Sequence, residues 1–449
     1  MEMDEASMES PVPFPEGWIE QLRPLLGAAL PDFLHSYLCP PTRGVRMRPG
    51  AMPPPDALKP VPWAENAWYL SLDSTAGAQP AHEAGAYYLQ EPSAMLPAAV
   101  LNPQPGEQVL DLCAAPGGKT TQLALRMAGH GLLVANEPVP KRAQVLSRNV
   151  ERMGIVNALV VSALPAQLAE RWPGGFDAVQ VDAPCSGEGM FRRHPETMAE
   201  WTADAPAGCA RRQVEILDGA AALVRPGGRI VYSTCTLNPT ENEHTVEAFC
   251  ARHPEFSLRP FSLPGADAPS GMLTCYPHRM RGEGHFVALL QREGDDPARL
   301  DADASLPRAD RQAMQALQAM QAFASHAPLP TAMLGDTLVH LPGCPDVRGL
   351  RVLRVGLHLG QMKGKTFMPD HAWAMACMPP DMPRVPLTAA QAARYQAGET
   401  IDMPDAPRGF VLPTLEGLAL GWGKVSDGMM KNHYPKGLRR SPAHLETEE

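Results

Sequence analysis

Between about residues 96 and 292, short apolar runs alternate with segments of helical length, an order few folds accept. The runs Gln108–Cys113, Leu132–Asn136, Leu159–Ser162, Ala178–Asp182 and Arg229–Ser233 are mostly apolar, as strands are when both faces of a parallel sheet are covered. Helix-length segments follow most of them: Lys119–Met127, Pro140–Met153, Ala207–Val224 and Thr240–His253. Repeated strand, crossover helix and strand predict an α/β, Rossmann-like domain over 96–292. Met272–Tyr276 and His285–Gln291, joined by a glycine-bearing connection, predict a hairpin closing the sheet edge.

The flanks differ. Residues 1–95 are proline-rich and broken, with room for one or two short helices in Trp18–Leu38. Residues 293–330 read as an acidic linker and then a helix at 312–324, where Met314, Leu317 and Met320 form an apolar packing face. Residues 331–449 break into short, glycine-rich β-like segments, with a small module over about 385–449. A chain of 449 residues is expected to hold two to four domains. The nine cysteines form no C-x-x-C pair and are irregularly spaced, which predicts reduced thiols, a cytoplasmic setting and no metal site. The N-terminal MEMDEASMES lacks the pattern of a signal peptide, and no run approaches the ~18 apolar residues of a membrane span.

A net charge of −10 argues against indiscriminate nucleic-acid binding, yet the charge is uneven. Lys424, Lys431, Lys436, Arg439 and Arg440 face a single acid, Asp427, in their segment, and Arg43, Arg46 and Arg48 form a second basic group. Each reads equally as a solvated basic face or as a phosphate-contacting surface.

VLDLCAAPGGKTTQL, from Val109 to Leu123, is a strand, a small glycine-bearing turn and a helix start, which lets a ligand approach backbone amides. Gly118-Lys119-Thr120 resembles the end of a phosphate loop, but the required earlier glycine is Cys113. A nucleoside-cofactor turn is the other functional reading, with Glu137, 19 residues after Gly118, placed for a ribose. A tight turn with no ligand is the bland one.

AVQVDAPCSGEGMFRR (Ala178–Arg193) and RIVYSTCTLNPTENE (Arg229–Glu243) are further strand ends, carrying Asp182, Cys185 and Cys235. Ligands of open parallel sheets bind beyond the carboxyl ends of the strands. One buried cysteine means little; two in polar turns beside a cofactor loop suggest thiol chemistry. Carbon 5 of cytosine is a poor nucleophile until a thiolate adds to carbon 6. Asp182 is the candidate to hold the base, which must be unpaired or flipped.

DLCAAPGGKT, DAPCSGEG and YSTCT with NPTENE, preceded by YYLQEPSAMLP (Tyr87–Pro97), resemble the Nop2/Sun family of RNA cytosine-C5 methyltransferases in content, order and spacing over roughly residues 85–292. The resemblance implies a class I fold using S-adenosyl-L-methionine. It implies cofactor contacts along Cys113, Ala114, Ala115, Pro116, Gly117, Gly118 and Lys119 and at Glu137, Arg142 and Asp182. Cys235 is then the nucleophile and Cys185 assists product release. Many members carry an aspartate after the third strand; here VVSALPAQ has Leu164 near that place. Leu418–Arg440 is similar to the PUA-like tail of bacterial members acting on small-subunit (16S) ribosomal RNA, which makes the five basic residues of that tail candidate RNA contacts. Ser36–Gly50 loosely resembles the family's substrate-side N-terminal region. The catalytic core does not encode the target, so tRNA stays open as a substrate. From other classes, an RNA-linked ATPase and a catalytically silent ribosome-assembly factor stay open as well.

Overall fold

The computed structural model describes residues 14–296, 300, 311–377, 379 and 381–439. Its centre is a nine-stranded sheet. The strands are β1 (Gln108–Asp111), β2 (Leu132–Asn136), β3 (Ala158–Ser162), β4 (Phe176–Asp182), β5 (Val224–Thr234), β6 (Phe256–Leu258), β7 (Met272–Cys275), β8 (His285–Arg292) and β9 (Arg351–Val355). They lie in the order β6-β8-β5-β4-β1-β2-β3-β9, with β7 also on β8. From β5 across to β3 the pairings are parallel. The outer pairings, β8 on β5 and β9 on β3, are antiparallel.

The helices are α1 (Gly118–Met127), α2 (Pro140–Arg152), α3 (Pro165–Arg171), α4 (Ala205–Leu223) and α5 (Glu243–Arg252). Alternate residues of each strand go to opposite layers. Leu110, Val134, Val161, Val179 and Tyr232 pack with Leu168 of α3, Leu217 of α4 and Phe249 of α5. Val109, Leu133, Val160, Ala178 and Val231 pack with Leu123 of α1 and Leu146 of α2. Both faces are therefore dry, which is why the strands read as apolar runs rather than as alternation. The strand order reverses between β1 and β4, and a ligand crevice is expected beyond their carboxyl ends.

The described N-terminal region carries three α-helices (Trp18–Leu26, Leu30–Ser36 and the short Pro80–Glu83) and a four-stranded antiparallel sheet built on Arg43–Met47. Trp18 and Phe33 are fully buried, and the Trp18 ring lies 5.2 Å from that of Phe191, so this region packs directly on the catalytic domain. Toward the C-terminus, one four-stranded sheet surrounds Trp373, and a six-stranded sheet includes Gly423–Ser426 and Met429–Asn432.

Four features differ from expectation. Helix α3 completes the crossover between β3 and β4; its seven residues are too short for a helical period to show. The expected hairpin forms, but β8 is interior, so β6 and β7 take the edge. Strand β9, from the region beyond 331, adds itself to β3 and closes an edge that would otherwise present unpaired amides. The Arg43–Arg48 group is not a solvated basic face. Arg46 is 2% exposed and donates to the Gln90 side chain, the Gly118 carbonyl and the Thr121 hydroxyl, while Arg48 donates to the carbonyls of Met375 and Ala376. The Arg46 guanidinium is thus held through Nε and Nη2, while its Nη1 is buried without a hydrogen-bond partner among the described residues. Most of the expected linker and the Met314 side chain lie outside the described residues; in helix Arg311–Phe323, Met320 is buried and Leu317 partly so.

Candidate active site

After β1 the chain turns through Leu112–Gly117. Gly117 has φ 115°, a conformation that favours glycine, and the next residue opens α1. A Cβ on Gly118 would lie 3.3 Å from the Tyr88 ring. Arg142 and Asn149, both on α2, donate to the carbonyls of Ala115 and Pro116 at 3.0 and 2.8 Å, so the loop is braced from outside. Beneath it, Thr120 donates to Asp111 at 2.6 Å. Burial nevertheless lifts the Asp111 carboxyl to about 7. Burial also raises the Cys113 thiol, with the charges of Asp111, Asp182 and Glu137 adding to it.

Glu137 directly follows β2 and is almost fully buried. One oxygen accepts the Val139 amide at 3.0 Å and the other lies 3.3 Å from Arg142. Across the switch point, Asp182 ends β4. It accepts from Lys119 at 2.8 Å and from Ser233 of β5 at 2.8 Å. Burial pushes the Asp182 carboxyl up, but Lys119, His285 and these hydrogen bonds outweigh it, and the net shift is downward. Lys119 shifts the opposite way: burial disfavours its charge, Asp182 restores it, and the net shift is upward.

The turns after β4 and β5 bring Cys185 and Cys235 together, with sulfurs 3.3 Å apart. That is a hydrogen-bond contact, well beyond the ~2.05 Å of a disulfide. The hydrogen bond to Cys235 is the largest influence on the Cys185 thiol, burial is next, and both hold it well above the ordinary thiol range. Close packing makes this possible. The Gly189 amide donates to the Cys235 carbonyl at 2.9 Å, and a Cβ on Gly189 would meet the Gly284 carbonyl at 2.4 Å. Glu241 ties the two turns, accepting from the Ser186 amide and from Gln213 of α4, each at 2.9 Å. Asn242 accepts from Thr234 and donates to the Thr236 carbonyl, holding the residues on either side of Cys235.

A cavity of about 550 Å³ opens here, running from Glu137 and Leu164 to Asp182 and both cysteines. A second, of about 220 Å³, is lined by Tyr88, Gln90, Lys119 and Arg193 and shares Asp182 with the first. Two compartments meeting at one carboxylate could hold two ligands side by side.

The family model described as 16S rRNA methyltransferase RsmB/F matches residues 98–291. The chain is 32% identical over 468 residues to ribosomal RNA small subunit methyltransferase F of Klebsiella pneumoniae (strain 342), covering 96% of this chain and 98% of that one. The chain belongs to the RsmB/F family of 16S rRNA methyltransferases. Three further models match around the core: the N-terminal domain of 16S rRNA methyltransferase RsmF over 14–92, the RsmF first C-terminal domain over 320–377 and the RsmF PUA domain over 383–440. The same-named protein of Salmonella paratyphi A is 31% identical over 473 residues, covering 95% of this chain and 97% of that one. The crystal structure of a methyltransferase homolog from Pyrococcus horikoshii aligns with a TM-score of 0.52 and 27% identity, covering 61% of this chain and 93% of that one.

The fold thus brings together most of the candidate site residues expected from the sequence. Cys113, Ala115, Glu137, Arg142, Asp182, Cys185 and Cys235 line the larger cavity, and Ala114, Pro116, Gly118 and Lys119 line the smaller. Gly117 acts through the turn alone. Leu164 lies exposed at the rim, its amide donating to the Gln167 side chain, and the Ser162 hydroxyl is committed to the Pro138 carbonyl. The basic tail is apart from this cleft. Lys424 and Lys431 sit opposite each other on paired strands, both exposed, with the Lys424 ammonium 5.3 Å above the Phe410 ring. Lys436 and Arg439 are exposed further on, and Arg440 lies outside the described residues. Sequence reasoning gave Glu241 and Asn242 no role, although NPTENE contained both. Nor did it see that Lys119 reaches Asp182, a pair 63 residues apart.

Proposed function

We propose that this chain methylates carbon 5 of a cytosine in 16S ribosomal RNA, with S-adenosyl-L-methionine as donor and Cys235 as covalent nucleophile. The observation that carries the proposal is the 3.3 Å contact of Cys185 and Cys235 beside a fixed Asp182, all opening into one cavity. The cavity suits the donor: its volume is that of a ligand site, it begins at a buried carboxylate, and it is flanked by a helix N-terminus. Glu137 would hold the ribose hydroxyls, and the Cys113–Lys119 loop and Arg142 the remainder. When bound, the donor supplies an electrophilic methyl group.

The chain's own residues do the rest. The contact allows either sulfur to donate; with the Cys185 thiol held well above the ordinary range, Cys185 is assigned as the proton-bearing partner and Cys235 as the accepting sulfur. As thiolate, Cys235 forms a bond to carbon 6, and the displaced π pair makes carbon 5 nucleophilic. Asp182, locked by Lys119 and Ser233, accepts from the exocyclic amine of the base and fixes its orientation. After transfer the carbon 5 proton leaves to solvent, the sulfur–carbon 6 bond breaks and the ring double bond re-forms. The Cys185 S–H stabilises the departing Cys235 thiolate.

The RNA reading of the tail rests on Lys424 and Lys431. Like charges directly opposite on paired strands repel; the Phe410 ring offsets part of this for Lys424, and a phosphate would offset it for both. The division into an N-terminal accessory region, a catalytic domain and a C-terminal RNA-binding region belongs to the same proposal.

The test is transfer of labelled methyl groups to 30S subunits, 16S RNA and tRNA, with Cys235→Ala as control. Labelled 5-methylcytosine in small-subunit RNA, lost in the variant, is the expected result. Label in tRNA alone would overturn the substrate, and no label despite cofactor binding would leave a silent assembly factor.

A further inference from the structure

Three carboxylates line the larger cavity: Glu137, Asp182 and Glu215. Glu137 and Asp182 are each engaged at both oxygens. Glu215, on α4, is exposed and makes no hydrogen bond or ion pair among the described residues. Its helix runs along the cavity wall. Gln213 donates to the Pro184 carbonyl near the cysteines, and Gly219 lies where a Cβ would be 3.1 Å from Pro165. Glu215 is one turn before Gly219 and so faces the stretch between the cysteine turn and the end of β3. At that end of β3 the Ser162 hydroxyl donates to the Pro138 carbonyl and the Leu164 amide to the Gln167 side chain, and neither brings an anionic acceptor to the wall as Glu215 does.

A nucleoside donor whose ribose sat at Glu137 would have this wall of the same cavity available for its base. Adenine presents an exocyclic amino group, which needs an acceptor. We infer that Glu215 is that acceptor and sets the preference for adenine over other bases in the cofactor. The inference rests on the cavity being the cofactor site.

The test is titration calorimetry on the full-length protein with S-adenosylhomocysteine and S-inosylhomocysteine. The latter carries an oxygen where adenine has its amino group. Glu215→Ala should weaken S-adenosylhomocysteine about tenfold and leave S-inosylhomocysteine no weaker than in the wild type. Glu215→Gln keeps an acceptor and adds a donor, so it should retain most adenine affinity and gain for the inosine analogue. Wild-type affinity of Glu215→Ala for S-adenosylhomocysteine would overturn the inference, as would equal losses for both ligands. Failure of the wild-type protein to bind S-adenosylhomocysteine would instead remove the cofactor site itself, and the inference with it.

Discussion

At the carboxyl end of the sheet the candidate reacting groups are crowded and braced. Asp182 has two hydrogen-bond donors, Cys185 and Cys235 touch, and the fully buried Glu241 ties their turns. On Gly423–Ser426 and Met429–Asn432 the arrangement is reversed, with Lys424 and Lys431 exposed on paired strands of the six-stranded sheet. Under the proposed function the contrast follows from what each region would do. Bond making needs groups held within fractions of an ångström, which only a packed surrounding achieves. Phosphate contact needs charge within reach and tolerates side-chain freedom. Changes in the first region should therefore alter turnover, and changes in the second should alter RNA affinity and its response to salt.

The largest effect should come from Cys235→Ala, with turnover falling by at least about 10⁴-fold while RNA affinity in a filter-binding assay stays near that of the wild type. A parallel loss of binding would break the contrast. Cys185→Ala should cost about 10²-fold in turnover, with a covalent protein–RNA species accumulating on denaturing gels. The absence of that species on competent RNA would remove Cys185 from the elimination step. In the other region, the double change Lys424→Ala, Lys431→Ala should weaken RNA binding about tenfold and lower the salt slope by about 2, with kcat at saturating RNA within about twofold of the wild type. A fall in kcat without a change in slope would place these lysines in the catalytic machinery.

The smallest effect concerns pH. Burial lifts Asp111 to about 7, so between about pH 4 and 7 the folded chain holds a proton that the unfolded chain releases. Stability should fall as pH rises through that window, and Asp111→Asn should flatten this part of the Tm profile. An unchanged profile would show that Asp111 is ionised in the folded chain.

The sheet was legible because its strands are buried on both sides and read as continuous apolar runs; β2, Leu132–Asn136, has the expected bounds. The cysteine turns were legible because their motifs are local. What was hidden is what contact brings together over long sequence separations. Lys119 meets Asp182, and Gln213 and Ser186 meet Glu241. Arg46 reads as one of three surface arginines until the strand carrying it is seen to aim it at Gly118 and Thr121. Strand β9 is a short run like others beyond residue 331, and only the open edge of β3 explains where it goes.

The assignment of Cys235 rather than Cys185 as nucleophile can be read from the wild-type protein alone. A 16S RNA substrate carrying 5-fluorocytidine at the target has no carbon 5 proton to lose, so the covalent species should persist after methyl transfer. Proteolysis and mass mapping should find the modified nucleotide on the peptide containing Cys235. The nucleotide on the Cys185 peptide would contradict the assignment, and no covalent species in a protein that methylates normal RNA would contradict the thiol mechanism altogether.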